Sequence, residues 1–281
     1  MLTFASYVLS STRTFFFVLY TALLVLFLAA MQLCEDTVDG YFPAHARKMK
    51  ALRFSLQKKA FHVLLFLCGV RVTIQSYDGA PTDISKPHLL ISNHISYLDC
   101  VVLAAYFPGN FVAKQEILSW PVIGLVSKLL ECLFVERDTL GGRVRAIHQI
   151  KDRLKKGSMC VFPEGTTTLN ELPRLQNWKS GQMWAALAAK AEVIVAGVHY
   201  SQQEKVAWID DMNFFTHLVS LFKVPTIDAY VTFCTFESKN FEPRDARKAS
   251  LHAFEKLCLM CEESVQKSSE NNEFIEQHVN S

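Results

Sequence analysis

The chain has 281 residues, with 29 Lys and Arg against 27 Asp and Glu; half of its residues are hydrophobic and 21 are Phe. That length suffices for one sizeable domain, alone or with an appendage, and the composition is rich for a soluble protein and directs attention to a membrane. A formal net charge of +2, without interleaved aromatic and basic residues, argues against a nucleic-acid partner.

Residues 14–31 carry no charge and consist mainly of Phe, Leu, Val and Ala, a run just long enough to cross a bilayer core. A cleaved signal peptide fits less well, because Arg13 is the sole basic side chain before the run and no small-x-small site precedes Glu35 and Asp36. The segment reads as a retained anchor, either spanning the bilayer or dipping into one leaflet. Arg47, Lys48, Lys50, Arg53, Lys58 and Lys59 follow it, and this excess of positive charge puts the bulk of the protein on the cytoplasmic face of a membrane. Between them Met49, Leu52, Leu56, Val63 and Leu67 recur at helical spacing. That pattern suits a basic amphipathic helix on an anionic leaflet, or a helix packed on the protein's own core. Residues 1–69 are thus expected to form membrane-anchoring helices.

From Val70 short apolar, β-rich runs alternate with helical patterns. Strands are expected at 70–75, 88–91, 111–113, 132–135, 159–162, 193–198 and 228–236, and helices near 97–107, 116–130, 140–156, 178–190, 211–222 and 244–266. The expectation is an α/β domain over 70–267, with a mixed, largely parallel sheet of about seven strands covered by helices, then a loose polar tail over 268–281. On the helix at 211–222, Met212, Phe214, Phe215, Leu218, Val219, Leu221 and Phe222 form one apolar face opposite Asn213, Thr216, His217 and Ser220, with Trp208 just ahead. Such a face either touches a membrane or covers the sheet. The eight cysteines lie mostly within apolar runs, as small hydrophobes in a reducing compartment do. Cys258 and Cys261 form a CxxC with no second pair, so no metal site is expected.

The chemistry concentrates in two stretches. The first, Ser92-Asn93-His94-Ile95-Ser96-Tyr97-Leu98-Asp99, joins a predicted strand to a predicted helix. Five residues of continuous helix set two side chains about 140° apart, so His94 and Asp99 meet only if His94 lies in the turn before the helix. Asn93 and Ser96 offer turn and capping chemistry to put it there. Asp99, near the positive end of the helix dipole, would then hold one imidazole nitrogen and leave the other free as a base. The second stretch, 158–168, is a strand ending in Phe162-Pro163-Glu164-Gly165-Thr166-Thr167-Thr168. Pro163 keeps Phe162 extended and Gly165 permits a tight reversal. Glu164 is then presented beside a small anion-friendly nest, or it is simply a surface residue of a turn.

Together, the NHxxxxD block at Asn93 to Asp99 and the FPEG block at Phe162 to Gly165 resemble the membrane glycerolipid acyltransferase family, whose members move an acyl chain from a thioester to a lysolipid hydroxyl. Leu133-Phe134-Val135-Glu136-Arg137 resembles the family's middle block, Lys114 matches a lysine often found there, and Lys179-Ser180-Gly181 resembles the Lys-x-Gly after FPEG. The likeness runs over roughly residues 60–235. It implies His94 as general base with Asp99 orienting it, and a substrate site drawn from Asn93, Lys114, Arg137, Glu164, Gly165, Thr166, Thr167 and Lys179. It also implies a lysolipid acceptor in the membrane and acyl-CoA or acyl-carrier protein (acyl-ACP) as co-substrate, with no bound cofactor. For Arg137 a surface ion pair with Glu136 or Asp138 is the competing role. Two features depart from the family: Thr167 stands where members that form phosphatidic acid usually carry a basic residue, and the apolar strand at 193–198 lacks the usual proline. A thioesterase or lipase-like hydrolase, and a catalytically silent membrane interaction protein, are the alternative functions.

Overall fold

The computed structural model describes residues 4–279, apart from 42, 78–85, 108, 121, 170, 171, 210 and 211. Two long helices open the chain, α1 (Phe4–Tyr41) and α2 (Pro43–Cys68). There follow β1 (Val70–Ser76), β2 (His88–Ser92), α3 (Leu98–Tyr106), β3 (Asn110–Lys114), α4 (Ile123–Leu129), β4 (Leu133–Val135), α5 (Leu140–Leu154) and β5 (Met159–Val161). The second half adds α6 (Gly181–Ala189), β6 (Glu192–Tyr200), the single turn α7 (Gln203–Val206), α8 (Phe214–Leu221), β7 (Ile227–Phe236) and α9 (Ala246–Val279). The seven expected strands all form. The helix expected over 116–130 is instead a 3-10 turn, Gln115–Ser119, followed by α4, and Pro121, which has no backbone donor, separates the two in sequence. α9 continues to Val279, past position 268 where a loose tail was expected.

The strands join one sheet in the order β1-β7-β6-β2-β5-β3-β4, and all neighbours are parallel except β6 and β7. The architecture is the mixed, largely parallel sheet that the alternation predicts. β2 is buried along its whole length and β6 everywhere but at Glu192, so both read as continuous apolar runs without a polar face. The reason is that one core packs α2, α3 and α8 on the first face and another packs α5, α6 and α9 on the second. The chain leaves β2 through α3 on the first face and leaves the adjacent parallel strand β5 through α6 on the second. The crevice at the carboxyl ends of these two strands is therefore a topological switch point, where open α/β sheets bind ligands. Both chemistry-bearing stretches begin there.

The N-terminal helices are fastened to this domain. α2 buries Phe61, Leu64, Leu65 and Cys68 in the core, whereas Leu52 and Val63 of its anticipated apolar stripe are exposed. Arg53, only 1% exposed, bonds Glu35 of α1 at 2.9 Å, the Glu131 carboxylate, and the Leu129 carbonyl at 3.1 Å. Near the other end of α1, Arg13 donates to the carbonyls of Phe222 (3.3 Å), Val224 and Pro225 (2.6 Å), just past the C-terminus of α8 where orphan carbonyls collect. Arg53→Ala removes the cation paired with the buried Glu35 carboxylate. The expected cost is about 3–5 kcal/mol, read as an earlier thermal unfolding midpoint in detergent, with a wild-type midpoint as the contrary result.

Candidate active site

His94 lies in the turn between β2 and α3, and Asp99 lies in the first turn of α3. The geometric condition on their spacing is met: His94 Nδ1 bonds Asp99 Oδ2 at 2.8 Å. The backbone N–H groups of Ile95 (2.6 Å) and Ser96 (2.9 Å) donate to the same oxygen, and Tyr200 Oη donates to Oδ1 at 2.8 Å. Asp99 is wholly buried, so each of these donors replaces water that the carboxylate has lost. The His94 side chain is 18% exposed, its ring stacks on Phe162 with centroids 3.9 Å apart, and Nε2 has no protein partner among the described residues. One nitrogen is oriented and the other is open, which is the arrangement of a base that takes a proton from a hydroxyl.

The turn is held differently from the sequence expectation. Asn93, expected in the substrate site, is a clasp: its amide donates to the Val198 carbonyl and accepts from the Val198 N–H, both at 2.8 Å, and the residue is buried. Ser96 gives only a 3.4 Å contact to the Leu98 N–H, and the capping bonds come from the Asp99 carboxylate instead. Glu164 is also corrected. It is not a surface residue of a turn, being buried with Oε1 accepting from the His94 N–H at 3.1 Å and Oε2 from Thr168 Oγ1 at 3.4 Å. The Thr168 N–H in turn donates to the His94 carbonyl at 2.9 Å. Glu164 thus braces one motif against the other. Parallel pairing of β2 with β5 makes this possible, since it delivers both turns to one edge.

A second pole forms at Gly165, which adopts φ +75°. Its carbonyl accepts from Arg137 Nη1 at 3.1 Å, and Lys179 Nζ donates to the Glu164 carbonyl at 3.3 Å. A Cβ on Gly165 would lie 2.5 Å from Lys179 Nζ, so glycine serves both the backbone conformation and the close approach of the cation. The competing surface pair for Arg137 does not form with Glu136, which bonds Arg145 at 2.9 Å. Burial lowers the Lys179 pKa, and repulsion from Arg137, Lys114 and Arg143 lowers it further. Lys114, exposed at the end of β3, therefore belongs to this cationic cluster. Thr166 is exposed, whereas the Thr167 hydroxyl is spent on the Trp208 carbonyl, and the Trp208 N–H donates to Ile95 at 3.1 Å. Arg143, Tyr200, Phe162 and the Trp208 tether were not anticipated. Period-two alternation from Val198 would have put Tyr200 on the same side of β6, but nothing in the sequence couples it to Asp99.

An oriented imidazole beside a cluster of cations, at the switch point of an α/β sheet, is an arrangement able to serve group transfer or hydrolysis. Residues 69–201 match the family model described as Acyltransferase. A lyso-ornithine lipid O-acyltransferase of Brucella abortus is 32% identical over 187 residues, 60% of this chain and 67% of that one. A lysophospholipid acyltransferase of Arabidopsis thaliana is 32% identical over 52% of this chain and 37% of its own, and a 1-acyl-sn-glycerol-3-phosphate acyltransferase of Neisseria gonorrhoeae is 31% identical over 40% and 44%. The chain thus spans about two thirds of the first of these relatives and less than half of the other two. In fold it resembles the crystal structure of the 1-acyl-sn-glycerophosphate acyltransferase of Thermotoga maritima, with TM-score 0.61 and 18% identity over 90% of this chain and 97% of that one. The chain belongs to the acyltransferase family.

The brace generates a pH prediction. Burial pushes the Glu164 carboxyl above its ordinary value, and the His94 N–H, the His94 ring, the Arg174 backbone and the Thr168 hydroxyl pull it only partly back. A carboxyl raised in the folded state contributes stability that is present below its unfolded pKa and lost as pH rises through its folded pKa. Glu164→Gln keeps an acceptor for the His94 N–H without the charge. Its unfolding midpoint should therefore gain on wild-type as pH is raised from about 4 to about 7; a difference that stays constant across that range contradicts the assignment.

Proposed function

We propose that this protein is a membrane-bound O-acyltransferase that moves a fatty acyl chain from acyl-CoA or acyl-ACP to the hydroxyl of a lysolipid. The observation that carries the reading is the His94–Asp99 bond with Nε2 left open beside the cationic turn at Gly165. The acceptor hydroxyl gives its proton to Nε2 as its oxygen attacks the thioester carbonyl. Collapse of the tetrahedral intermediate breaks the carbon–sulfur bond, and the departing thiolate takes the proton back from the imidazolium. No acyl-enzyme is required. Cys100 and Cys160, the thiols nearest Asp99, are pushed well above their ordinary pKa by burial, with its charge adding to the shift, which is the wrong direction for a nucleophile.

Arg137 and Lys179 hold the anionic part of the acceptor, for which a guanidinium offers paired donors. Position 167 adds no cation to the cluster of Arg137, Lys179, Lys114 and Arg143, and its hydroxyl is occupied. An acceptor with one negative charge, such as a lyso-ornithine lipid or a zwitterionic lysophospholipid, suits this pocket better than a phosphomonoester, which carries nearly two. The name of the Brucella relative agrees with that preference, whereas the Neisseria relative and the Thermotoga structure are named for 1-acylglycerol-3-phosphate.

The membrane surface is α1, whose Phe15, Val18, Leu19, Leu23 and Leu26 are exposed. Arg13 and Glu35 are 22 positions apart, about 33 Å of helix, yet Arg13 is tied to the α/β domain directly and Glu35 through Arg53 of α2. A helix crossing a hydrocarbon core of about 30 Å would carry one of those ties across the bilayer. α1 therefore lies in one leaflet, with the domain beside it on the cytoplasmic face, where the donor thioesters are found.

Purified full-length protein supplied with labelled acyl-CoA should form ester on a lysolipid. Free fatty acid alone would indicate a hydrolase, and no turnover with either donor a silent protein. His94→Ala should lower the rate by about 10⁴ with unchanged unfolding and vesicle binding, and Asp99→Asn should lower it similarly or less; full activity in purified His94→Ala refutes the mechanism. Across lysophosphatidic acid, lysophosphatidylethanolamine, lysophosphatidylcholine and lyso-ornithine lipid, the singly charged or zwitterionic acceptors should lead. A tenfold advantage for lysophosphatidic acid, about 1.4 kcal/mol, would refute the charge argument. Arg137→Ala should raise KM for the acceptor and leave KM for the donor in place.

A further inference from the structure

We infer that Tyr200 is the positioning residue that fixes the Asp99 carboxylate and, through it, the His94 imidazole. The inference rests on the general-base reading of His94. Tyr200 closes β6, is wholly buried, and donates to Asp99 Oδ1 at 2.8 Å. The other three donors, Ile95 N–H, Ser96 N–H and His94 Nδ1–H, all converge on Oδ2. They belong to the same turn as Asp99 and would shift with it. Among the described residues Tyr200 alone bonds this carboxylate from the sheet. A carboxylate held at one oxygen still turns about its broad sp³–sp² torsion, and one held at both does not. The imidazole is then fixed with it. The bond also divides the carboxylate's charge, because a donor at Oδ1 draws density away from Oδ2, which faces the imidazole.

Every titratable group around the pair bears on the pH dependence. Tyr97 just ahead of α3, Cys100 in α3, Cys160 from β5, Glu164 from the second turn and Tyr200 from β6 are the neighbours. Burial raises Tyr97, Cys100, Cys160 and Tyr200 above their ordinary values, and for the last three the Asp99 charge adds to it. These four keep their protons through the neutral range, so none of them supplies the acid limb of the rate profile.

The test is kcat/KM against pH for the full-length wild-type and Tyr200→Phe proteins, with acyl-CoA and the best lysolipid of the panel, alongside thermal unfolding. Removing the hydroxyl leaves the ring's packing in place and returns charge to Oδ2. The imidazolium is then better stabilised, and the free base is reached at higher pH. The expected result is a fall of about tenfold in kcat/KM near neutral pH, with the acid limb moved up by about half a unit. Loss of packing alone would lower the rate equally at every pH, so limbs that superimpose on wild-type after scaling overturn the inference. If Tyr200→Phe is too unstable to purify, 3-fluorotyrosine at position 200 keeps ring and hydroxyl but donates more strongly. It should move the limb downward, and an unmoved limb overturns the inference again. An inactive His94→Ala beside an unmoved limb removes the role of Tyr200 only, whereas a fully active His94→Ala removes the general-base reading itself.

Discussion

A carboxylate without access to water must be met by donors or its burial is prohibitive, and the organisation around Asp99 follows from that. Two backbone N–H groups, an imidazole and a phenol meet it, from a turn and from a strand on the far side of the sequence. Satisfying Asp99 therefore fixes the shape of the turn after β2, the rotation of the His94 ring and the position of β6 relative to α3. The stacked Phe162 ring closes the remaining freedom of the imidazole. The group that needs most support thereby orients an imidazole whose Nε2 is left open.

The same economy of bonds separates two poles. Asn93 clasps β6 and Glu164 clasps the His94 backbone, so the polar side chains between β2, β5 and β6 are consumed in holding the strand ends together. The cations gather a few residues away, at Gly165, where a positive φ and the missing Cβ let Lys179 and Arg137 approach the backbone. Burial first, and then repulsion from Arg137, Lys114 and Arg143, lowers the Lys179 pKa, so the site gains from any anion placed there.

The N-terminal helices are joined to the site through packing. α1 rests on α2, which buries its inner side against α3, and Arg13 and Arg53 fasten the pair near both ends. α8 belongs to this side too, though not as one apolar face. Phe214, Leu218, Leu221 and Phe222 pack toward the core with His217, whose Nδ1 pairs with Tyr97 Oη at 3.0 Å, while Met212, Phe215 and Val219 remain exposed. Tyr97 lies between His94 and Asp99 in sequence, and its ring meets Trp208, Phe214 and His217. An aromatic layer thus separates the dyad from the exposed side of α8.

Local patterning was sufficient for much of this. Alternating apolar runs and turn residues mark all seven strands, because each strand advertises its burial in its own residues. The five-residue spacing of His94 and Asp99 is a local constraint, and so was legible together with the condition it imposes. The roles of Asn93, Glu164, Thr167, His217 and Tyr200 were not legible, since each is decided by a partner between 70 and 120 positions away or by a loop carbonyl. A polar side chain near a catalytic residue reads from sequence as something facing substrate. Only the tertiary structure decides whether the fold has already spent its hydrogen bonds, because strand order and burial, which no local pattern encodes, determine which donors and acceptors meet.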